Sequence, residues 1–292
     1  MKSLETFAIN AWDTGISQED QNKAIQALEA GQVLYFPSLP FALNADEQRF
    51  LTPDIVNPKT KNVSYDIHKD RLGGTLCSES DAEKVKEMLK RYALASRHLM
   101  DQLIPHYTPK LVQARTSFRP VEISGRKSSY RKDDTLLHVD AFPSNPTKGR
   151  RILRVFTNIN PNGQSRIWRV GEPFEEVVKK MAPKVSSPWP GAFFFLKLLG
   201  ITKDYRSHYD HYMLQMHNLM KGDAHYQRTV PQEEIAFPPG SSWIVYTDQV
   251  SHAAMSGQHV FEQTFHLPVT GLKKESTNPL RVLEKHLGRS LV

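Results

Sequence analysis

His138 and Asp140 stand two positions apart in the segment Leu136-Leu137-His138-Val139-Asp140, and a further histidine, His252, follows far downstream. On an extended strand side chains alternate between faces, so residues i and i+2 point the same way. That spacing sets an imidazole nitrogen and a carboxylate oxygen close enough to share one cation. A histidine delivered by a later strand would complete a 2-His-1-carboxylate facial triad, which leaves positions open on non-haem iron(II). A co-substrate can fill two of them and dioxygen the third, which is what an oxygenase requires.

A lone His-x-Asp is a weak signal, and the chain holds a second one at His208-Tyr209-Asp210. Its surroundings, Asp204 to Leu214, read as helix, where positions i and i+2 are not neighbours and cannot converge on one ion. Asp204, His208 and His211 could share a helical face, a minor alternative to a solvated polar surface. For His138 and Asp140, spacing alone weighs a metal role and a polar strand end about equally. The segment Thr247 to Ala254 favours the metal, because it follows a strand closed by a turn, as a late jelly-roll strand does beside an early one. His225, His259 and His266 rank lower as third ligands.

An anionic co-substrate needs an anchor. Arg154 interrupts the apolar run Ile152-Leu153-Arg154-Val155-Phe156, and a buried guanidinium must find a negative partner or cost several kcal/mol. Its planar fork suits bidentate recognition of a carboxylate. Arg166 lies across a predicted hairpin turn, and Arg119 on the strand before the His-x-Asp segment. For each, an internal salt bridge is as good a reading. Gln263 shares the face of Phe261, Phe265 and Leu267 and so could meet a polar ligand. The basic clusters Arg126-Lys127, Arg131-Lys132 and Lys148-Gly149-Arg150-Arg151 flank the His-x-Asp segment and would suit an anionic substrate at its mouth.

These residues need a frame. Residues 1–110 read as mainly helical: one helix capped near Ser17 and ended by Gly31, a buried strand Val33 to Phe36 stopped by Pro37, and a second helix from after Ser80 to Pro105. Short strands follow at 113–119, 135–140, 151–159, 165–170, 241–247 and 260–269. Asn160-Pro161-Asn162-Gly163 predicts a hairpin, and Pro238-Pro239-Gly240 a turn. A helical insert, 173–228, opens with Pro173 at a first-turn position. The whole predicts one domain, mainly β with flanking helices: a double-stranded β-helix (jelly roll, cupin-like) core over 111–270, with a tail at 271–292.

Composition narrows the partners. The formal net charge of +7 favours anionic ones, and a single cysteine, Cys77, excludes an internal disulfide or a Cys-rich zinc module and fits a reducing compartment. Cys77 lacks a nucleophile motif and reads as packing. The start at Met1 lacks the basic flank and apolar run of a secretory signal, and no apolar run reaches spanning length. Val185 to Leu196, with Trp189, Phe193, Phe194 and Phe195, reads first as core and second as a lipid contact. Gly-x-Ser-x-Gly, a phosphate-binding glycine loop and His-Glu-x-x-His are all absent from the sequence.

Several stretches resemble the Kdo hydroxylase family, iron(II)- and 2-oxoglutarate-dependent dioxygenases acting on the 3-deoxy-D-manno-oct-2-ulosonic acid (Kdo) of lipopolysaccharide. They are Gly31 to Pro37, Lys61 to Tyr65, Leu136 to Asp140, Gly149 to Pro161, Trp168 to Glu172, Phe237 to His252 and Gly257 to Phe265. The resemblance implies a double-stranded β-helix and O2-dependent hydroxylation of Kdo at C3 on Kdo-lipid A or its precursor, with His138, Asp140 and His252 as iron ligands. Many members of the wider superfamily carry the 2-oxoglutarate arginine shortly after the distal histidine. This chain has no arginine between His252 and Arg281, which moves the anchor to Arg154, Arg166 or Arg119 and argues against a nucleic-acid substrate. A lipid substrate would join the basic surface and the aromatic stretch in peripheral attachment to an anionic membrane, on the cytoplasmic side of the inner membrane. The rivals are a same-fold oxygenase for another anionic sugar or metabolite, a non-catalytic jelly-roll binding module, and a membrane-surface transferase.

Overall fold

The computed structural model describes residues 2–126 and 128–292; Met1, where the leader was sought, and Lys127 of one basic pair lie outside the described residues. The strands are β1 (Leu4–Thr6), β2 (Val33–Phe36), β3 (Val63–Asp66), β4 (Arg71–Gly73), β5 (Val112–Arg119), β6 (Arg151–Asn158), β7 (Arg166–Val170), β8 (Glu233–Phe237), β9 (Ser242–Tyr246), β10 (His252–Ser256) and β11 (Val260–Leu267). The helices are α1 (Gln18–Glu29), α2 (Glu79–Leu103), α3 (Phe174–Met181), α4 (Ala192–Leu198), α5 (His208–Gly222), α6 (Ala224–Thr229) and α7 (Pro279–Leu287).

Capping sets where the first two helices begin. The Ser17 hydroxyl accepts from the backbone of Asp20, and Ser78 does the same for Asp81. The second helix therefore starts at Glu79, two residues ahead of the expected start after Ser80, because Ser78 is the serine that caps. Their apolar stripes, including Ile25, Leu28, Leu99 and Leu103, bury against one face of an eight-stranded sheet ordered β1-β2-β9-β6-β11-β5-β3-β4. That face carries Leu153, Val155, Ile244, Tyr246, Phe265 and Leu267.

The opposite face looks into the jelly roll. Phe156, Trp243, Val245 and Val260 meet Trp168, Val170, Ile235 and Phe237 of a three-stranded sheet ordered β10-β7-β8. Period-two alternation thus divides each strand of the large sheet between a helix-covered side and a sandwich interior.

Two expectations change here. The predicted strand 135–140 shrinks to a single antiparallel bridge, His138 to His252. Its neighbours find other partners: the Gln227 side chain both accepts from the Leu137 N–H and donates to the Leu137 carbonyl, and the Asp140 N–H donates to the Thr247 carbonyl. Backbone groups satisfied in this way leave no ladder to propagate. The Asn160–Gly163 turn does not close a hairpin. Strand β6 already has β9 and β11 on its two edges, so the chain crosses to the other sheet and becomes β7. Strands β8 and β10 had no clear signal; β10, His-Ala-Ala-Met-Ser, holds no β-branched residue.

The helical insert holds α3 to α6. Pro173 is the cap before α3 rather than its first helical residue. The expected burial of Val185 to Leu196 holds only at α4's inner side: Ala192 and Phe193 are buried, whereas Phe194 is 59% exposed. A short helix apolar all round has one face to bury and must show the rest. No described helix is long and apolar enough to cross a membrane.

Candidate metal centre

The bridge between His138 and His252 is held by two reciprocal backbone hydrogen bonds of 3.0 and 2.9 Å, which bring the two rings to 4.7 Å between centroids. Asp140 follows on the same side, its Oδ1 3.7 Å from His138 Nε2. One ligand atom from each of His138, Asp140 and His252 lies within 4.8 Å of the others, and no other such group of His, Cys, Asp or Glu occurs among the described residues.

Hydrogen bonding fixes which nitrogens face inward. His138 Nδ1 lies 2.7 Å from the Leu136 carbonyl, and His252 Nδ1 2.8 Å from the Val250 carbonyl. A carbonyl can only accept, so both Nδ1 atoms carry the proton and both Nε2 atoms present a lone pair. Burial is the leading reason that both imidazoles are held below their ordinary pKa, and so neutral. Burial works the other way on Asp140, but Arg154 and the two imidazoles outweigh it and hold the carboxyl well below the usual range. Two neutral imidazoles and one carboxylate are a donor set that fits iron(II). Asp140 Oδ2 is buried without a well-aligned hydrogen bond among the described residues, and the Arg154 guanidinium 3.1 Å away is its charged partner.

Three guanidiniums stand behind the triad. Arg154 lies 3.1 Å from Asp140 and 3.2 Å from Glu262, and Arg119 Nε donates to the other Glu262 oxygen at 2.7 Å. Arg166 is buried, forms no ion pair among the described residues, and donates through Nη1 to the Gly257 carbonyl at 2.6 Å. Burial, reinforced by Arg119, pulls its pKa down to about 10, so it remains cationic at neutral pH. The Nε atoms of Arg154 and Arg166 are buried without hydrogen-bond partners among the described residues. Asp140 and Glu262 engage Arg154 and Arg119, which leaves Arg166 as the guanidinium of the three without an ion pair among the described residues and so able to take the carboxylate of a co-substrate.

Gln263 is not part of this group. It faces the helix side of the large sheet, where its oxygen accepts from Thr116 Oγ1 at 2.6 Å and its amide nitrogen donates to the Thr264 carbonyl at 2.7 Å. The site side belongs to its neighbour Glu262, since adjacent strand residues point oppositely. His259 and His266 are buried away from the ligand set, and His225 is exposed on α6. His208 and Asp210 open α5, where Asp210 accepts from the Ser207 and Thr147 backbones. Arg151, the end of one basic cluster, is fully buried in a pair with Asp248 instead of lying at the mouth.

Sequence reasoning missed four neighbours. Trp168 stacks on His252 at 5.0 Å and 20°, and His217 meets His138 edge-on at 5.0 Å. Glu262 ties Arg119 to Arg154, and Lys221 is buried at the end of α5. Trp168 could have been found from its place two residues after Arg166; the helix residues carried no local signal.

Residues 11–290 match the family described as 3-deoxy-D-manno-oct-2-ulosonic acid (Kdo) hydroxylase. The chain belongs to the Kdo hydroxylase family. It is similar at 50% identity to the crystal structure of the Kdo hydroxylase KdoO, a non-heme Fe(II) alphaketoglutarate-dependent dioxygenase, in complex with alphaketoglutarate and Fe(III); the match covers 100% of this chain and 98% of that one, with a TM-score of 0.97. The KdoO structure with cobalt(II) matches with a TM-score of 0.98, and that with succinate and Fe(III) with 0.96. No protein with a curated description matches the chain. The likeness to KdoO extends over the full double-stranded β-helix, so the jelly-roll class expected for this hydroxylase holds.

Proposed function

We propose that this Kdo hydroxylase binds iron(II) through His138, Asp140 and His252 and uses 2-oxoglutarate and O2 to hydroxylate Kdo. The observation that carries this reading is the pair of neutral imidazoles whose Nε2 lone pairs face the Asp140 carboxylate. When bound, iron and the keto acid supply the oxidising power, the keto acid leaving as succinate and carbon dioxide. The protein's own share is geometric and electrostatic. The backbone bridge holds both histidines in register, and Arg154 keeps Asp140 ionised. Arg166, the guanidinium without an acid partner, is the best suited to grip the far carboxylate of 2-oxoglutarate, with Arg119 and Arg154 beside it. Phe156, Trp168 and Trp243 wall the interior and exclude water.

The finer reading is hydroxylation at C3 of Kdo carried on lipid A, at an anionic membrane surface on the cytoplasmic side of the inner membrane. The exposed apolar residues on and around α4 support it: Trp189, Phe194, Phe195, Leu198, Leu199 and Ile201 stand near Lys197 and Lys203. Mass spectrometry of Kdo-lipid A after incubation with iron(II), 2-oxoglutarate and oxygen should show one added oxygen atom, absent when iron is chelated. An unchanged mass with free succinate accumulating would reject the substrate. Co-sedimentation with anionic vesicles should fall in a Phe194→Ser/Phe195→Ser variant; equal recovery would reject the membrane contact.

A further inference from the structure

Lys221 closes α5 and is only 4% exposed, yet it forms no ion pair among the described residues. Its ammonium makes one long hydrogen bond, 3.3 Å, to the carbonyl of Arg131. His217, one helical turn earlier, donates from Nδ1 to the Val139 carbonyl at 2.9 Å, so its Nε2, 3.4 Å from the Arg131 carbonyl, has no proton to offer there. From the other side Lys61 reaches the Lys132 carbonyl at 3.5 Å and pairs with Asp134. The short turn Tyr130–Lys132 is therefore held, through carbonyl oxygens, by Lys221 and Lys61.

A carbonyl is a poor partner for a buried ammonium. The group has three donors and an unscreened charge, and one long bond to a neutral acceptor offsets little of its desolvation. An incoming carboxylate would be a far better acceptor. Lys221 lies beside the ligand set: it shares a face of α5 with His217, whose ring meets that of His138 edge-on at 5.0 Å and whose Nδ1 reaches the Val139 carbonyl between His138 and Asp140.

We infer that Lys221, with Lys61 across the turn, forms a carboxylate-binding subsite at the rim of the metal centre that receives the acid group of the sugar substrate. The co-substrate is already provided for by guanidiniums on β5, β6 and β7, whereas Lys221 and Lys61 approach from α5 and from the loop before β3. This assignment rests on the hydroxylase reading and deepens it, because Kdo is itself a carboxylic acid. On binding, the substrate carboxylate replaces the Arg131 carbonyl as partner of the ammonium.

The test is Lys221→Met, which keeps the length of the side chain and removes its charge. With iron and 2-oxoglutarate saturating, KM for the Kdo substrate should rise about tenfold to a hundredfold, the effect of losing one charged hydrogen bond, with a much smaller change in kcat. Anaerobic titration of the iron charge-transfer band should give the same 2-oxoglutarate affinity as wild type. A carboxamide analogue of the substrate should bind both proteins equally, whereas the acid binds wild type more tightly. An unchanged KM, or the same loss with the carboxamide, overturns the subsite, as does a weakened 2-oxoglutarate affinity with unaltered KM. Should Lys221→Met not fold, Lys221→Arg is expected to keep KM near wild type and Lys61→Met to raise it; the reverse overturns the proposal. If wild type leaves Kdo unoxidised, the hydroxylase reading falls, and anaerobic titration with Kdo itself judges the subsite: equal affinity of wild type and Lys221→Met overturns it.

Discussion

His138-Val139-Asp140 and His208-Tyr209-Asp210 carry the same two side-chain types at the same spacing, and the backbone gives them different work. In the first, an extended segment bridged to β10 sends both side chains to one side, where His252 joins them. In the second, the pair begins α5; the Ser207 hydroxyl and the Asp210 carboxylate form a capping box, and Asp210 also holds the Thr147 and Lys148 backbones. Identical spacing gathers a candidate ligand set on period two and a helix cap on period 3.6. The lesson is that a ligand motif is a statement about dihedral angles as much as about residue types.

The two aspartates should respond most differently to substitution. Asp140→Ala should lower iron-dependent turnover by at least about a hundredfold, since even partners one shell beyond the ligands are worth 10–100-fold; circular dichroism should still report the folded protein. Retained succinate formation in Asp140→Ala would remove it from the ligand set. Next in size, Arg166→Met should raise KM for 2-oxoglutarate about tenfold to a hundredfold while leaving iron affinity near wild type. An equal KM would pass the anchor to Arg119 or Arg154. Asp210→Ala should leave the iron site intact and cost about 1–2 kcal/mol in urea denaturation, the usual worth of a helix cap; loss of iron binding there would erase the distinction.

The smallest effect concerns pH. Burial holds His138, His252 and also His211, His217, His259 and His266 below the ordinary value of 6.5. Between their lowered values and 6.5 the unfolded chain binds more protons than the native one, so native stability rises with pH through that window. The metal-free protein should therefore be fully stable above about pH 6.5 and lose stability as the pH falls below it. A urea midpoint that stayed flat from pH 7.5 to 5 would contradict the neutral assignment of these rings. Replacing His138 and His252 together by Asn should reduce the slope more than replacing any one exposed histidine.

Much of the large sheet was legible, because Val33–Phe36, Val112–Arg119, Arg151–Asn158 and Val260–Leu267 are β-rich runs bounded by breakers. The ends of α1 and α2 were legible to within two residues, through Ser17 for the first, whereas the second begins at Ser78 and not at the expected Ser80. Pairing was not: the Asn160–Gly163 turn has the composition of a hairpin, yet whether it closes one depends on which edges of β6 are already taken. Gln263 shows the same limit. Its alternation was read correctly, but which face of β11 looks inward is decided by where α2 packs. The face of Val185–Leu196 failed for a related reason, since hydrophobicity does not say whether a covering element exists.

Local chemistry and periodicity determined the residue types, the extended spacing of His138 and Asp140, the cap at Ser17 and the excess of positive charge. Tertiary structure alone decided that His252 arrives opposite His138, that Glu262 rather than Gln263 joins the arginines, and that Lys221 is buried against the Tyr130–Lys132 turn. Those are contacts between segments far apart in the chain, created when strands find partners and faces find cover, and pairing of that kind leaves no trace in any short window of sequence.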